Sequence, residues 1–573
     1  MALSFITHVK NIFKQCDKYV DKDKKLFVPK ILEDIEKIDK DLIKLLIQDE
    51  KLKNHFFMQV DDVYILKQND LIEFFTMNEY LNHSYTSYTN KIGLIKKDNF
   101  IKKFDDVVLA FPYKDCVLEG GQTKDDDKKN EVFYNSVISR DEIDRLFEPK
   151  VLTNIKRVDK DGEHKIDEIK EDDNLMIKGN NLLALHSLKK RYAGKVKLIY
   201  IDPPYNTGND SFNYNDNFNH STWLTFMKNR LEVAREFLRD DGVIFVQCDD
   251  NEQAYLKVLM DEVFNSTNFI ATLIWEKKSG RQNDAKFYST NHEYILNYAH
   301  TSSLYKPNLL KRTEEMLKSY KNPDNDYRGV WTSITLQAKS GTEKNIYQIK
   351  FPNGVEWKPP IGTYARFSKD KLLELYNDNK LYFGEHNTNK PRLKKFLTDV
   401  KEGVVSNTLL FANEVSNTQK SKTELQQLFG KNVFGTPKPE KFIEYIIKLS
   451  TKENDLVLDF HLGSGTTCAV AQKMNRRYIG IEQMDYIEDI AVKRMKKVID
   501  GEQGGISKAL NWQGGGSFIY AELKEIDNFK DAEIGKLNQN MQYLPIGDIE
   551  DETYGISDEE IAINKKFYGL EDE

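Results

Sequence analysis

An Asp-Pro-Pro-Tyr tetrad directly follows an apolar run at residues 196–201, and no other segment constrains the fold as strongly. The run predicts a buried strand of a parallel sheet, and such sheets bind ligands outside the carboxyl ends of their strands. The Asp202 carboxylate can accept a hydrogen bond from an exocyclic amine, and Tyr205 offers a face on which a flat ring can stack. Pro203 and Pro204 stiffen the backbone and leave their carbonyls as acceptors. The alternative is an ordinary strand-to-loop turn, for which Asp-Pro-Pro is also favourable.

The tetrad resembles the (Asp/Asn/Ser)-Pro-Pro-(Tyr/Phe/Trp) motif of the amino-methyltransferases that act on nucleic acids. In those enzymes the Asp form usually accompanies methylation of N6 of adenine. The resemblance implies that the carboxylate and a proline carbonyl draw on the amine hydrogens, while the tyrosine stacks on an extruded adenine. The catalytic residues that it implies are Asp202, Pro203, Pro204 and Tyr205.

A glycine turn lies much further along the chain. Residues 456–460 predict a short strand, the turn contains Gly463 and Gly465, and a helix is predicted from residue 466 onward. The glycines let the backbone approach a ligand closely, and the start of the helix presents free N–H groups. Glu482, at the end of the next predicted strand, suits the two hydroxyls of a ribose.

A dinucleotide-binding domain would use the same parts, but the longer Gly-x-Gly-x-x-Gly pattern is absent because position 468 is Cys. Upstream, residues 436–440 read Thr-Pro-Lys-Pro-Glu and precede an amphipathic segment at residues 442–449. The order Thr-Pro-Lys-Pro-Glu, helix, strand, Gly-Ser-Gly-Thr-Thr is similar to the S-adenosylmethionine half of the β-class DNA methyltransferases. In that class the catalytic tetrad also precedes the cofactor motif. The resemblance implies S-adenosylmethionine as the cofactor and no metal. The cofactor-binding residues that it implies are Thr436, Lys438, Pro439, Glu440, Asp459, His461, Gly463, Ser464, Gly465, Thr466, Thr467 and Glu482.

One position departs from the family pattern, which is commonly Phe-x-Gly-x-Gly. The first position here is His461, so a stacked phenylalanine contact with the cofactor does not carry over unchanged. The plainer interpretation is a satisfied histidine at the end of a strand, and we favour it over a catalytic role.

The C-terminal side of the motif region extends the resemblance. Residues 511–518 look like the segment that closes the methylation subunits of type III restriction-modification systems, and residues 328–331 and 357–362 look like their middle section. The resemblance covers roughly residues 130–523. It implies an α/β fold: a doubly wound, mostly parallel, Rossmann-like methyltransferase sheet with an inserted DNA-recognition domain and a helical N-terminal region. The expected divisions are 1–125 (helical or mixed), 130–300 (catalytic half), 301–430 (target recognition), 431–523 (cofactor half) and 524–573 (acidic C-terminal region).

Further motifs exclude other chemistries. C5-cytosine methylation requires a cysteine that directly follows a proline, and none of the four cysteines does so. The zinc-deaminase pattern is also missing. No Gly-x-x-x-x-Gly-Lys-(Ser/Thr) sequence is present, so we expect no ATP hydrolysis by a P-loop. Asp324 and the later Glu356-Trp357-Lys358 fit a loose nuclease pattern, which we interpret as a chance match in a chain rich in charged residues.

The charge is unevenly distributed along the chain, whose net charge is −7. Residues 301–440 hold 23 Lys and Arg against 15 Asp and Glu, a net of +8, whereas residues 521–573 hold 5 against 15, a net of −10. Because affinity for phosphate follows local charge, the basic stretch between the motifs predicts a DNA-reading region. A solvated surface is the alternative.

Patterned segments outside the motifs complete the expected architecture. Residues 1–60 predict amphipathic helices, residues 120–130 a solvated loop and residues 206–219 a mobile loop over the pocket. Residues 221–239 predict a core helix that Asp241-Gly242 ends before the next strand. A further strand pair is expected at residues 271–275 and 293–298.

The combined expectation is a cytoplasmic adenine-N6 methyltransferase of double-stranded DNA. No apolar run is long enough for a bilayer, and no signal peptide is recognisable. The type III resemblance implies a homodimer and a restriction (Res) subunit with an ATPase motor and nuclease, with residues 1–60 and 521–573 as candidate contact surfaces. Three alternatives remain open. They are N4-cytosine methylation, methylation of RNA or of a protein amide, and a recognition subunit with little turnover alone.

Overall fold

The computed structural model describes residues 2–20, 26–60, 63–76, 147–207, 220–281, 285–431, 433–526 and 543–570, together with four short strands at 93–95, 108–110, 117–119 and 132–134. The predicted loop at 120–130 lies outside these residues, as do residues 208–219 of the loop predicted at 206–219.

Eleven strands form one sheet. In chain order they are β1 (Leu152–Asp159), β2 (Gly162–His164), β3 (Leu175–Lys178), β4 (Val196–Ile201), β5 (Leu238–Cys248), β6 (Phe269–Glu276), β7 (His292–Ala299), β8 (Leu409–Leu410), β9 (Leu456–Asp459), β10 (Arg477–Glu482) and β11 (Phe518–Leu523). The order across the sheet is β8-β6-β7-β5-β4-β9-β10-β3-β11-β1-β2.

The six central strands, from β5 to β11 in that order, run parallel. Antiparallel strands β7 and β1 flank them. Every residue of β4 and of β9 is buried, as expected of strands covered on both faces.

Helices cover both faces of the sheet. On one face lie Asn181–Tyr192, His220–Phe237 and Gln253–Phe264, and on the other lie Glu440–Ser450, Thr466–Lys473 and Lys493–Ile499. The predicted doubly wound α/β sheet is therefore confirmed. No helix in the described ranges is long and apolar enough to cross a membrane.

The predicted helix stop at Asp241-Gly242 is wrong, because the helix ends at Phe237 and both residues lie inside β5. The pairing with β4 shifts between Leu238 and Val243, so the intervening residues bulge. A Cβ at Gly242 would stand 2.9 Å from the carbonyl oxygens of Val196 and Arg239. The glycine is therefore required by the close backbone approach within a bulge.

The inserted region has its own core, and its ends meet. Leu310 and Val404 exchange two backbone hydrogen bonds of 2.8 Å, which bring the two ends of the insertion together. Between them stand short strands and one long helix, Lys369–Asn377, around a core of Leu336, Ile349, Phe351, Trp357, Ala365, Leu372, Leu381 and Phe383.

The predicted recognition domain at 301–430 extends too far at its end. Strand β8 pairs with β6 of the main sheet, and the helix Thr418–Phe429 bonds to the cofactor segment, since Ser421 Oγ donates to the Pro437 carbonyl at 2.6 Å. These residues therefore contact the main sheet and residue 437 and not the core of the insertion. The insertion proper is the stretch between Leu310 and Val404.

The loose nuclease pattern has a structural explanation. The Asp324 carboxylate accepts a hydrogen bond from Trp331 Nε1 at 2.9 Å and pairs with the fully buried Lys394. Lys394 also pairs with the fully buried Asp326 at 2.8 Å. Asp324 is thus part of a buried ion-pair cluster that holds the insertion together.

Two terminal regions complete the chain. The N-terminal helices are Ala2–Lys14, Val28–Glu36, Lys40–Gln48, Glu50–Phe56 and Gln68–Thr76, with a hairpin of Phe57–Val60 and Val63–Leu66. They enclose a separate apolar core, as the amphipathic pattern of residues 1–60 predicts. In the acidic C-terminal region the helix Asp558–Tyr568 lies against β1, where Asn564 Oδ1 accepts from Leu152 N at 2.8 Å. This region therefore completes the sheet domain.

Candidate active site

The two sequence motifs meet at the centre of the sheet. Strands β4 and β9 are parallel neighbours, with Ile199 opposite Leu458, so their carboxyl ends lie side by side. From β4 the chain continues to β5 on one side, and from β9 it continues to β10 on the other. This is the topological switch point of the sheet, where open α/β sheets bind ligands. A pocket with an empty volume of about 860 Å³ lies there, lined by both motifs.

The Asp202 carboxylate is held by a residue from each half of the domain. Its Oδ2 accepts from Lys438 Nζ at 2.5 Å, and its Oδ1 accepts from the Tyr205 hydroxyl at 2.6 Å. Burial raises the pKa of Asp202, Lys438 lowers it, and the nearby Glu293 carboxylate raises it again. Lys438 therefore opposes the effect of burial on a carboxylate that faces the pocket.

Glu293 completes this cluster from the antiparallel strand β7. Its Oε2 accepts from Gln247 Nε2 at 2.6 Å and lies 3.0 Å from Tyr205 Oη, and its Oε1 pairs with Lys277 Nζ at 3.1 Å. Burial would raise the pKa of Glu293, but Lys438 and Lys277 outweigh it and hold the pKa below its ordinary value. The negative charges of Asp202 and Glu293 are thus balanced by the positive charges of two ammonium groups, Lys438 and Lys277.

Sequence reasoning missed Glu293, Gln247 and Lys277. The only available signal was a polar side chain inside otherwise apolar strands. The pairing of Cys248 with Tyr294 brings the start of β7 to the end of β5, and this register is not visible in the sequence. Lys438, predicted as a cofactor ligand, lines the pocket and has its ammonium group on Asp202.

The Pro204 carbonyl is engaged by a buried side chain. The Pro204 carbonyl accepts a hydrogen bond from Trp223 Nε1 at 2.7 Å, so one of its two lone pairs is in use. Trp223 is fully buried in the helix His220–Phe237. This bond fixes the tetrad backbone against the helix that covers it.

The residue after the tetrad is anchored as well. Asn206 Nδ2 donates to Glu252 Oε1 at 2.7 Å, and His220 Nδ1 lies 2.7 Å from the same oxygen. The fully buried Glu252 therefore connects the end of the tetrad to the first residue of the following helix.

The glycine turn is ordered by two acidic side chains. Glu482 Oε2 accepts from Gly463 N at 2.9 Å, and Asp459 Oδ2 accepts from the Thr467 hydroxyl at 2.6 Å. Burial raises the pKa of Asp459 to about 7 and also raises that of Glu482. Gly465 has φ +78°, and a Cβ there would lie 3.1 Å from the Ala491 Cβ, so only glycine fits the turn without strain.

His461 lines the pocket in a neutral form. Burial lowers its pKa to about 3, assisted by the Arg230 guanidinium. Its ring lies 5.9 Å from that of Phe226 and its Nε2 is 3.4 Å from Asn181 Nδ2. These contacts support the interpretation of a packed, satisfied histidine.

The predicted cofactor residues divide into two groups. Those that line the pocket are Thr436, Lys438, Asp459, His461, Gly463, Ser464, Thr466, Thr467 and Glu482. Pro439, Glu440 and Gly465 lie behind its wall. Glu440 pairs there with Lys473 Nζ at 2.7 Å and with Arg494 Nη2 at 2.9 Å. Because Arg494 also donates to Thr466 Oγ1 at 2.7 Å, Glu440 supports the turn from behind and does not reach the pocket.

Comparison with known proteins agrees with this geometry. The sequence profile of a family described as "DNA methylase" matches residues 196–493, and that of the "Type III restriction/modification enzyme methylation subunit" matches residues 39–94. The chain is 38% identical to the probable type III restriction-modification enzyme HindVI Mod subunit of Haemophilus influenzae, over 88% of this chain and 83% of the relative. It is 36% identical to the StyLTI Mod subunit of Salmonella typhimurium and 31% identical to the EcoP15I Mod subunit of Escherichia coli. Those matches cover 54% of this chain and only 51% and 58% of the relatives.

The chain therefore belongs to the DNA methylase family, among the Mod subunits of type III restriction-modification systems. It is a DNA methyltransferase, and methylation of N6 of adenine is typical of Mod subunits. The resemblance noted from the tetrad and the glycine turn is confirmed.

Proposed function

We propose that this pocket transfers a methyl group from S-adenosylmethionine to N6 of an adenine extruded from double-stranded DNA. The observation that carries the proposal is the contact between Asp202 and Lys438. It joins the amine-binding tetrad to the cofactor segment at the switch point, with 2.5 Å between the carboxylate and ammonium groups. A carboxylate in that position can accept a hydrogen bond from an amine and orient it toward the cofactor side.

The residues of the glycine turn fit S-adenosylmethionine. The Glu482 carboxylate ends β10 beside the turn, where it suits the ribose hydroxyls, and the helix Thr466–Lys473 begins at the pocket. Thr436 and Asp459 line the same wall and would complete the binding surface. The bound cofactor supplies an activated sulfonium methyl, so the protein needs to position the amine and exclude water.

The chain's own residues then act on the adenine amine. Asp202 accepts one N–H of the amine, and the ring of Tyr205 provides the stacking face. The nitrogen must lose one proton on methylation, and the Asp202 carboxylate is the acceptor placed to receive it. Lys438 and Glu293 hold Asp202 and Tyr205 in place through contacts of 2.5 Å and 3.0 Å.

The family supports a proposal for the assembly. We infer that double-stranded DNA binds across the pocket and the basic insertion, that two copies associate, and that a Res subunit supplies ATP-driven cleavage. The insertion is the candidate for reading the DNA sequence, because it has its own core and lies between the motifs.

Incubation of the protein with labelled S-adenosylmethionine and unmethylated genomic DNA, followed by nucleoside analysis, tests the proposal. We expect N6-methyladenine, and sequencing of the modified positions gives the recognition sequence. Asp202→Asn is expected to lower the rate by roughly 100-fold or more while leaving cofactor affinity within about threefold of wild type. N4-methylcytosine as the product would favour the alternative chemistry. If the cofactor binds but no label is transferred to the DNA, the result would favour a recognition subunit with little turnover.

A further inference from the structure

A loop beside the pocket exposes two neighbouring aromatic rings. It connects β6 to β7, and it leaves the sheet at the edge where Asp202 lies because β6 runs in the same direction as β4. In this loop the side chain of Phe287 is 80% exposed and that of Tyr288 is 91% exposed. Among the described residues they are the only adjacent pair of aromatic side chains with such exposure. Adjacent exposed rings on a soluble protein indicate a contact surface.

The base of this loop is fastened to the active site. Lys277 pairs with Glu293, and Lys278 N donates to the Asn291 carbonyl at 3.2 Å. Asn291 Nδ2 donates in turn to the Gly280 carbonyl at 3.0 Å. Residues 278 and 280 at the start of the loop are thus hydrogen-bonded to Asn291 at its end. Phe287 and Tyr288 lie between these two ends.

The loop carries positive charge. Residues 277–291 contain three Lys, one Arg and one Asp, a net charge of +3. Lys278, Arg281 and Lys286 form no ion pair with a carboxylate in the part of the chain described by the structure, and Lys286 Nζ stands 5.1 Å from the centre of the Phe287 ring. Cations beside exposed rings, with no carboxylate partner among the described residues, favour a polyanion with flat bases over an apolar protein surface.

The distance along the chain is short enough for joint action with the pocket. Tyr288 precedes Glu293 by five residues, which span at most roughly 17 Å when fully extended. Glu293 bonds directly to Tyr205, on which the extruded base is proposed to stack. A duplex that delivers a base to the pocket therefore places the resulting gap in its base stack within reach of the loop.

We propose that Phe287 and Tyr288 form a wedge that enters the DNA base stack and fills the space left by the extruded adenine. The wedge rests on the proposed function and adds a second DNA contact outside the insertion. Its rings replace the lost stacking of the target base, and the cations of the loop bind the adjacent phosphates.

Single-turnover methylation of two duplexes tests the wedge. Both contain the recognition sequence that sequencing of the modified positions provides. The target adenine is either paired with thymine or lies opposite an abasic site, where pairing is already lost. We expect Phe287→Ala/Tyr288→Ala to be slower by roughly 10- to 100-fold on the paired duplex, the size of one lost stack, and within about threefold of wild type on the abasic duplex. Phe287→Trp is expected to retain most of the activity.

Tyr64→Ala is the matched control, because Tyr64 is exposed and has Lys53 Nζ 3.8 Å from the centre of its ring but lies in the N-terminal hairpin, outside the segments named as contact surfaces. It should leave both rates unchanged. Equal losses of the double variant on both duplexes, or no loss on either, would contradict the wedge. Normal rates together with a changed oligomeric state would identify the pair as a contact between protein chains.

Photocross-linking distinguishes a failure of the wedge proposal from a failure of the proposed function. Genomic DNA that contains bromodeoxyuridine should label the peptide with residues 285–291, whatever base the protein methylates. Label without methylation would contradict the proposed function and leave the DNA contact in place. Methylation without label on this peptide would overturn the wedge alone.

Discussion

At the scale of single residues, Lys438 contacts Asp202, the carboxylate that we propose as catalytic, and influences its charge. Burial raises the pKa of Asp202 and Lys438 lowers it, so removal of the cation should raise it further. We expect Lys438→Met to lose roughly 10- to 100-fold in rate near pH 7 and to recover part of it above pH 8, because the ionised carboxylate is the acceptor. The acid limb of the pH–rate profile should move upward by about one unit or more.

The control for this prediction is Lys441→Met. Lys441 is an exposed lysine in the helix that follows Lys438, Glu440–Ser450, and among the described residues its Nζ contacts only a backbone carbonyl, at 3.5 Å. Its profile should match that of wild type. A loss of rate in Lys438→Met that is equal at every pH would contradict the electrostatic role and point to cofactor binding instead, which calorimetry would detect.

Tyr205 combines a ring and a hydroxyl with separate roles. The sequence led us to expect a role for the ring face alone, but the hydroxyl donates to Asp202 and contacts Glu293. We therefore expect Tyr205→Phe to lose about tenfold in single-turnover rate, as for one hydrogen bond to a charged group, and Tyr205→Ala to lose roughly tenfold more through lost stacking. A phenylalanine variant as impaired as alanine would mean that the ring face contributes little.

His461 should influence stability more than turnover. Burial lowers its pKa from 6.5 to about 3, so the folded state binds fewer protons than the unfolded state between these values. Stability is therefore gained as the pH rises from 3 to 6.5 and lost on acidification. We expect His461→Phe to gain on the order of 2 kcal/mol relative to wild type between pH 7 and pH 5, measured by urea unfolding. A pH-independent difference would show that the histidine is not buried in the neutral form.

At the scale of elements, the insertion is attached by a narrow connection. Because Leu310 and Val404 already bond to each other, residues 311–403 can be replaced by a short Gly-Ser linker without opening the sheet. We expect the shortened protein to bind S-adenosylmethionine as wild type does and to lose sequence-specific DNA binding, measured by calorimetry and by competition between specific and random duplexes. Retained sequence preference would place the reading surface elsewhere.

A control deletion should extend into the main sheet. Removal of residues 301–430 takes away β8 and the helix Thr418–Phe429, which bonds to Pro437. Loss of cofactor binding in this longer deletion alone would confirm that the sheet domain resumes after Val404.

Strands β4, β9 and β10 could be predicted because each contains a run of apolar residues bounded by a turn, whereas β11 was not predicted. The tetrad after β4 and the glycine turn after β9 have local signatures, and their residues meet where the parallel order requires. Glu293 and Gln247 could not be predicted, since their approach to Tyr205 depends on the register of two antiparallel strands. The two-residue strand β8 has no periodicity at all.

At the scale of the whole molecule, methylation and cleavage should belong to different chains. The sequence lacks a P-loop. The carboxylate of Asp324, which fits the loose nuclease pattern, is engaged in contacts with Trp331 and Lys394. We expect the purified chain to be a dimer by light scattering and to leave plasmid DNA uncut with or without ATP. Cleavage by the chain alone would contradict the need for a Res subunit.

The interleaving of the two motifs in one sheet has a consequence for the synthesis of the protein. Strand β4 emerges from the ribosome long before β9, its neighbour, and the whole insertion is made in between. Until β9 arrives, one edge of β4 remains unpaired and the tetrad lacks its opposite wall. A nascent or prematurely terminated chain that ends before β9 thus possesses the tetrad without the glycine turn that we propose to hold the methyl donor. Modifying activity is withheld until synthesis is nearly complete.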